Sequence, residues 1–183
     1  RSLFVPIWSG ERKYDIIEYG YWPDGQEQYK EWGAYMNEYP AWAAENSEFD
    51  GQAVETKRSI SMRGVRARGI RIPQDERDRF KFVDFQRCSF VTGGTMENLL
   101  DLNAKVEASE IEMGNRAGYG VHYLMPYRGA SPDTDYDFII MRHYYSAKKR
   151  SDIVASYPEY RDMMNEKGYW DEFRSNATCG SQS

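Results

Sequence analysis

Tyr136-Asp137-Phe138-Ile139 opens a tyrosine-rich stretch of strand-like sequence, and the same pattern occurs earlier as Tyr14-Asp15-Ile16-Ile17. Each copy is followed further along by a tyrosine–proline pair, first in Tyr39-Pro40-Ala41-Trp42 and then in Tyr157-Pro158-Glu159-Tyr160. Both the motifs and their order recur. The chain is therefore predicted to contain two supersecondary units that share one core.

The second half of the chain, 74–183, reads as a complete unit. Phe80–Phe90 alternates apolar and polar residues, as a strand with two different faces does. Thr95 is a suitable helix cap, and the apolar residues after it recur at three- and four-residue spacings, which predicts a helix to Gly114. The remaining predicted elements are strands at Tyr119–Tyr127 and Tyr136–Tyr145, a helical stretch at Lys148–Lys167 in which Pro158 starts a second helix, and a last strand at Phe173–Cys179. This order of strand, helix, strand, strand, helix, strand is that of a ferredoxin-like split βαββαβ unit.

The first half, 1–73, supplies only the later part of such a unit. It contains two predicted strands, a helix and an extended stretch, at Leu3–Trp8, Lys13–Trp22, Gln26–Asn46 and from Gln52 onward. The opening strand and helix are missing, so we expect the natural chain to begin about 30–45 residues before Arg1. The sequence predicts an α+β fold of two tandem ferredoxin-like units, the first of them N-terminally incomplete.

Bulk properties exclude some classes of protein. The net charge of −5 and the pI near 5.2 argue against a nucleic-acid partner, because phosphate binding relies on an excess of Lys and Arg. No run approaches the roughly 18 apolar residues of a membrane-spanning helix, so we expect a soluble protein without a membrane partner. The cytoplasm is slightly favoured, although a chain that starts at Arg1 could have lost a secretory signal.

The tandem arrangement resembles the dimeric α+β barrel superfamily. The stretch Cys88-Ser89-Phe90, the glycine pair after it and Thr95-Met96-Glu97-Asn98 are also similar to an uncharacterised bacterial branch. The resemblance implies antiparallel sheets that form a barrel with helices outside, built from a homodimer or from an intrachain pseudo-dimer. Members include cofactor-independent monooxygenases, muconolactone isomerase-like enzymes, EthD-like proteins and haem proteins, and fold alone does not choose among them.

The chain has only two histidines, His122 and His143, and both fall on the strands of one predicted hairpin. If they share a face, they offer a general base or a ligand for a metal or haem. The alternative is two ordinary strand histidines, since the sequence does not fix the register of the hairpin. No spacing of His, Cys or carboxylate residues completes a zinc or iron site, so no metal and no cofactor are predicted.

Arg142 and Tyr144 share a predicted strand face and would suit a carboxylate or enolate in a cavity, while His143 falls on the opposite face. Ion pairing across the sheet is the structural alternative for Arg142. An aromatic-lined cavity would be formed by the side chains of Tyr123, Tyr144, Tyr145, Trp22 and Arg87.

Two other features have plain structural interpretations. Arginines interleaved with apolar residues between Ser59 and Pro73 could bind a phosphate-bearing partner, but we favour an amphipathic connector with solvated arginines. Cys88 and Cys179 are expected on neighbouring strands and are interpreted as reduced packing residues.

The favoured function is binding of a small apolar or aromatic organic ligand. If the protein is an enzyme, the sequence favours cofactor-independent oxygenation or isomerisation, with His143 or His122 as the base and Arg142 or Tyr144 as the anion stabiliser. The alternatives are a non-catalytic barrel that serves assembly and a haem-binding barrel.

Overall fold

The computed structural model describes residues 2–4, 17–19, 22–23, 25–45, 61–77, 82–128 and 134–180. The chain divides into two compact units, Arg1–Ser59 and Ile60–Ser183. The boundary predicted from the sequence is residue 73.

The first unit contains a short antiparallel pair of strands and one long helix. Strand β1 (Ser2–Phe4) pairs with β2 (Ile17–Tyr19), and helix α1 spans Gly25–Glu45. The predicted helix is confirmed, and it continues through Pro40. Trp22, the last residue of the second predicted strand, is described but does not belong to a strand. The other positions of the predicted strands and the extended stretch from Gln52 to residue 60 lie outside the described residues.

The second unit is built on a five-stranded antiparallel sheet with the order β3-β5-β6-β4-β7. Its strands are β3 (Ser61–Arg68), β4 (Phe82–Phe90), β5 (Tyr119–Arg128), β6 (Phe138–Tyr144) and β7 (Ala177–Cys179). Its helices are α2 (Met96–Met113), α3 (Ala147–Ala155), α4 (Tyr157–Glu166) and α5 (Tyr169–Arg174), with a single 3₁₀ turn at Gln74–Glu76. The α+β class is thereby established, and the sheet of described strands is open, with β3 and β7 at its edges.

Helix α2 forms where its capping residues predict it. The Thr95 side chain accepts a hydrogen bond from the Asn98 backbone N–H, and Gly114 ends the helix in the left-handed region, with φ of 72°. The apolar residues at helical spacing, Leu99, Leu102 and Val106, are all buried. The local signals and the packing therefore agree along this element.

The order of elements from β4 onward follows the prediction, but the end of the chain differs. Pro158 starts α4, as expected. The predicted last strand is shortened to three residues, because Tyr169–Arg174 is helical. The stretch around Ser59–Pro73 forms β3 and pairs with β5, which makes it an edge strand of this sheet.

Helices α2 to α5 lie on one face of the sheet, which we call the helix face. Leu99 of α2 and Ile153 of α3 pack there against a core that includes Val121, Phe138 and Ile140. Tyr160 of α4 packs against α2 in a second cluster. Side chains alternate along each strand, so the intervening residues lie on the other side of the sheet.

Cys88 and Cys179 form a disulfide bond, with 4.1 Å between their Cα atoms. The prediction of two reduced cysteines was wrong. The two residues are directly opposed in the β4–β7 ladder, and the flanking hydrogen bonds join Gly180 to Arg87 and Val91 to Asn176. Opposed residues between such hydrogen-bonded pairs have the closest Cα atoms in an antiparallel sheet, which brings two cysteines within bridging reach.

Candidate functional site

The two histidines lie side by side on the sheet face opposite the helices, which we call the histidine face. The register of β5 and β6 pairs Gly120 with His143 and His122 with Met141. The ring centroids of His122 and His143 are 5.2 Å apart, and the ring planes differ by 30°. Gly120 makes this arrangement sterically accessible, because a Cβ at that position would collide with the His143 ring.

The surroundings of His122 favour its neutral form. Burial lowers its pKa, and the positive charges of Arg66 and Arg71 lower it further. Its Nδ1 atom is buried and has no hydrogen-bond partner among the described residues. A neutral imidazole with a nitrogen that is not engaged can accept a proton.

Tyr145 and Arg77 extend the histidine face at the end of β6. The Tyr145 ring stands edge-on to His143 with 5.1 Å between centroids, and the Arg77 guanidinium lies 4.6 Å from the centre of the Tyr145 ring. Arg77 is fixed by hydrogen bonds of 3.1 and 2.8 Å to the Ile72 carbonyl. A positive charge is therefore held at a defined place beside the aromatic rings.

Apart from Arg66, which is opposite His122 in the β3–β5 register, the neighbours of the imidazoles on this face are apolar. Leu124 and Met141, which lie close to the imidazoles in the β5–β6 register, are only 5% and 7% exposed. Phe85, opposite Met141 on β4, is half-buried. The face thus combines two imidazoles with an apolar and aromatic surrounding, the composition typical of sites for small organic ligands.

The predicted partners of the histidines lie on the opposite side of the sheet. Arg142 and Tyr144 alternate with His143 along β6 and lie on the helix face, as strand geometry requires. Tyr123 is there too, 2% exposed, and its hydroxyl accepts a hydrogen bond from Asn103. Arg142, Tyr144 and Tyr123 therefore cannot act with the histidines on one small ligand.

Of the other two predicted ligand-binding residues, Trp22 belongs to the first unit, and Arg87 lies on the histidine face, opposite Ile139 in the β4–β6 register. Trp22, in the first unit, donates a 2.6 Å hydrogen bond from Nε1 to Glu31. Arg87 is exposed, and its guanidinium lies 5.4 Å from the centre of the Tyr136 ring. Among the predicted site residues, the structure brings together His122, His143 and Tyr145.

On the helix face, a row of four residues crosses four strands. Arg68, Val121, Arg142 and Asp84 are successive direct cross-strand partners on β3, β5, β6 and β4, and we call them the arginine row. Nη2 of Arg142 donates to Gln86 at 2.9 Å, whereas Nη1 is buried without a hydrogen-bond partner among the described residues. Burial lowers the Arg142 pKa, and the charge of Arg68 lowers it further.

A buried ionic network adjoins this row. The Glu110 carboxylate is completely buried; it accepts a 3.0 Å bond from Nε of Arg116, lies 3.4 Å from Nε of Arg68, and accepts the Tyr119 hydroxyl. Arg68 also donates to Asn103 at 2.5 Å and to the Tyr160 hydroxyl at 3.1 Å. Burial is the main cause that raises the Tyr119 pKa, so the phenol stays protonated and donates to the carboxylate.

Sequence reasoning missed this network, although α2 carries its signal. Asn103, Ser109 and Glu110 are polar residues at positions that continue the apolar stripe of the helix, and all three are buried. A polar residue on the buried side of a helix requires a partner, and the arginines between Ser59 and Pro73 supply one. Arg66 also forms an ion pair with α2, since its Nη2 lies 2.7 Å from the Glu107 carboxylate. Two of these arginines are thus paired with acidic residues of α2.

Within the described residues, no group of three or more His, Cys, Asp and Glu side chains is arranged to hold a metal ion. The helices that the structure describes include none with the length and apolar character that crossing a membrane requires. No protein-family model matches this chain, and neither a curated protein nor a solved structure is similar to it.

Proposed function

We propose that this protein is an α+β barrel protein that binds a small, largely aromatic or apolar organic molecule on its histidine face. The topology of the second unit supports the ferredoxin-like part of this proposal. Strand β6 lies between β4 and β5, which helix α2 connects, and this insertion is what defines a split βαβ unit. The helices cover one sheet face, and in a barrel of this type the other face lines the interior.

The observation that carries the proposal is the adjacency of His122 and His143 on an apolar surface. Polar side chains in such a surface cost free energy unless they have a partner. The His122 Nδ1 atom has none among the described residues, and a ligand with an acidic hydrogen would provide it. The aromatic ring of Tyr145 adds a flat contact surface beside them.

The chemistry that fits this face is proton transfer. Neutral His122 accepts a proton from an acidic C–H group of the ligand, and the positive charge of Arg71, which acts on His122, stabilises the resulting anion. Return of the proton to a different carbon completes an isomerisation. With dioxygen as a second substrate, the same anion leads to monooxygenation, in which a CH₂ group and O₂ give a carbonyl and water. Arg71 thus replaces Arg142 as the candidate anion stabiliser, because the charge of Arg66 is already paired with Glu107.

Replacing both histidines should abolish ligand binding. In a saturation-transfer NMR screen of aromatic fragments, we expect hits of the wild type to lose affinity by about tenfold or more in the His122→Gln/His143→Gln variant. Glutamine is a polar side chain of similar size, but it has no imidazole ring. The matched control is Ile111→Ser, because Ile111 is 61% exposed on α2. The proposal fails if the double variant and the control bind the same fragments equally well.

Acidification should destabilise the folded protein through His122. Its pKa is lowered in the folded state, so the associated stability is fully present above the unfolded value of about 6.5 and is lost as the pH falls through the folded pKa. We expect the urea midpoint to drop on going from about pH 7.5 to about pH 5 by more in the wild type than in His122→Asn. Equal drops in the two proteins would show that His122 is not the responsible group.

A further inference from the structure

We propose that the arginine row binds a small monovalent anion, a carboxylate or a halide, at Nη1 of Arg142 on the helix face. This site is separate from the histidine face and does not depend on the function proposed for it. An excess of buried positive charge, unused hydrogen-bond donors and the sheet register support it.

The charges of the buried network do not balance. Arg68 and Arg116, with side chains 15% and 6% exposed, share the carboxylate of Glu110, which is fully buried. Arginine does not deprotonate in proteins, so it cannot remove this excess by losing a proton. A buried charge without a counter-charge is costly, and an anion would supply that counter-charge.

Apart from the Asp84 carboxylate, which lies opposite Arg142 in the row, the groups around the excess charge donate hydrogen bonds. Nη1 of Arg142 is buried with no partner among the described residues. The hydroxyls of Tyr123 and Tyr160 accept bonds from Asn103 and Arg68, which leaves each phenol its own hydrogen to donate. Burial raises the Tyr123 pKa, which keeps that hydrogen in place. Donors without an acceptor are the composition of an anion site.

The register places these donors together. Arg68 and Arg142 flank Val121 in one cross-strand row, so their Cα atoms are about 10 Å apart at the usual strand spacing. Tyr123 lies two residues from Val121 on the same side of β5. The Asn103 amide joins Arg68 to Tyr123, because its oxygen accepts a 2.5 Å bond from Arg68 and its nitrogen donates a 2.5 Å bond to the Tyr123 hydroxyl. Arg142 as a residue is half-buried, and the buried part of its side chain includes Nη1.

Formate is the probe for a carboxylate. Thermal unfolding is measured in sodium formate and in sodium gluconate at equal ionic strength, because gluconate is too large for the site. With a dissociation constant of about 10 mM, about 200 mM formate should raise the folding constant roughly 20-fold and the unfolding temperature by about 5 °C. The effect should saturate with formate concentration.

Two variants locate the effect. Arg142→Gln should lose the formate response, whereas Arg150→Gln should keep it, because Arg150 is an exposed arginine 4.0 Å from the same Asp84. The His122→Gln/His143→Gln variant should also keep it, which separates this proposal from the one for the histidine face. A response that Arg142→Gln retains, or a wild type that does not distinguish formate from gluconate, overturns the inference.

A measurement on the wild type avoids any dependence on the folding of Arg142→Gln. Crystals soaked in sodium bromide should show an anomalous peak within hydrogen-bonding distance of Arg142 Nη1. Bromide peaks confined to other positions on the protein would overturn the proposal independently of the thermal data.

Discussion

Glu110→Gln should lower the free energy of unfolding by about 3–5 kcal/mol, because it removes one member of a buried ionic network. Two guanidinium groups, of Arg68 and Arg116, lie within 3.4 Å of this carboxylate, which has no solvent exposure. Glutamine keeps the volume of glutamate but not its charge. A single domain is stable by about 5–15 kcal/mol, so the loss is a large fraction of the total. Urea unfolding followed by circular dichroism measures it.

The control for this prediction is Glu112→Gln on the same helix, where the side chain is 74% exposed. We expect a change within about 0.5 kcal/mol there. A double-mutant cycle with Arg116→Gln tests the pairing itself, because the double variant should lose less stability than the sum of the single variants. If Glu110→Gln unfolds at the same urea concentration as Glu112→Gln, the network contributes nothing to stability.

Local sequence signals predicted the elements of the second unit because particular residues mark where these elements begin or end. Thr95 and Gly114 bound α2, and Pro158 begins α4. The end of the chain was less predictable. The aromatic residues of Tyr169–Arg174 are typical of a strand, but Gly168, with φ of 69°, redirects the chain into a further short helix. Phe173 there packs against the core. Tertiary packing thus overrode the local β preference.

For the candidate site, the sequence predicted only which residues of one strand share a face of the sheet. Alternation placed Arg142 and His143 on opposite faces correctly. It could not bring His122 to His143, because that depends on the pairing of Gly120 with His143, and the sequence does not fix the register of a hairpin with a long turn. The same limit explains the cysteines. Their strands were expected to be neighbours, but only the register opposes Cys88 to Cys179.

Reducing the Cys88–Cys179 bond should lower the free energy of unfolding by about 2–5 kcal/mol. The bridge joins residues separated by 91 positions, so its loss returns considerable freedom to the unfolded chain, and it releases the three-residue edge strand β7 from β4. Urea unfolding of the wild type with and without a thiol reductant measures the effect without any change in packing, and intact mass confirms the bond by a loss of about two hydrogens.

The Cys179→Ala variant is the control for the disulfide. It cannot form the bond, so its unfolding midpoint should lie near that of the reduced wild type and should not respond to the reductant. Its Cys88 remains buried at 1% exposure, so the core is little changed. Alkylation counts the free thiols of wild type purified without a reductant. Two free thiols would contradict the prediction, since the opposed register would then not be sufficient to form the bridge.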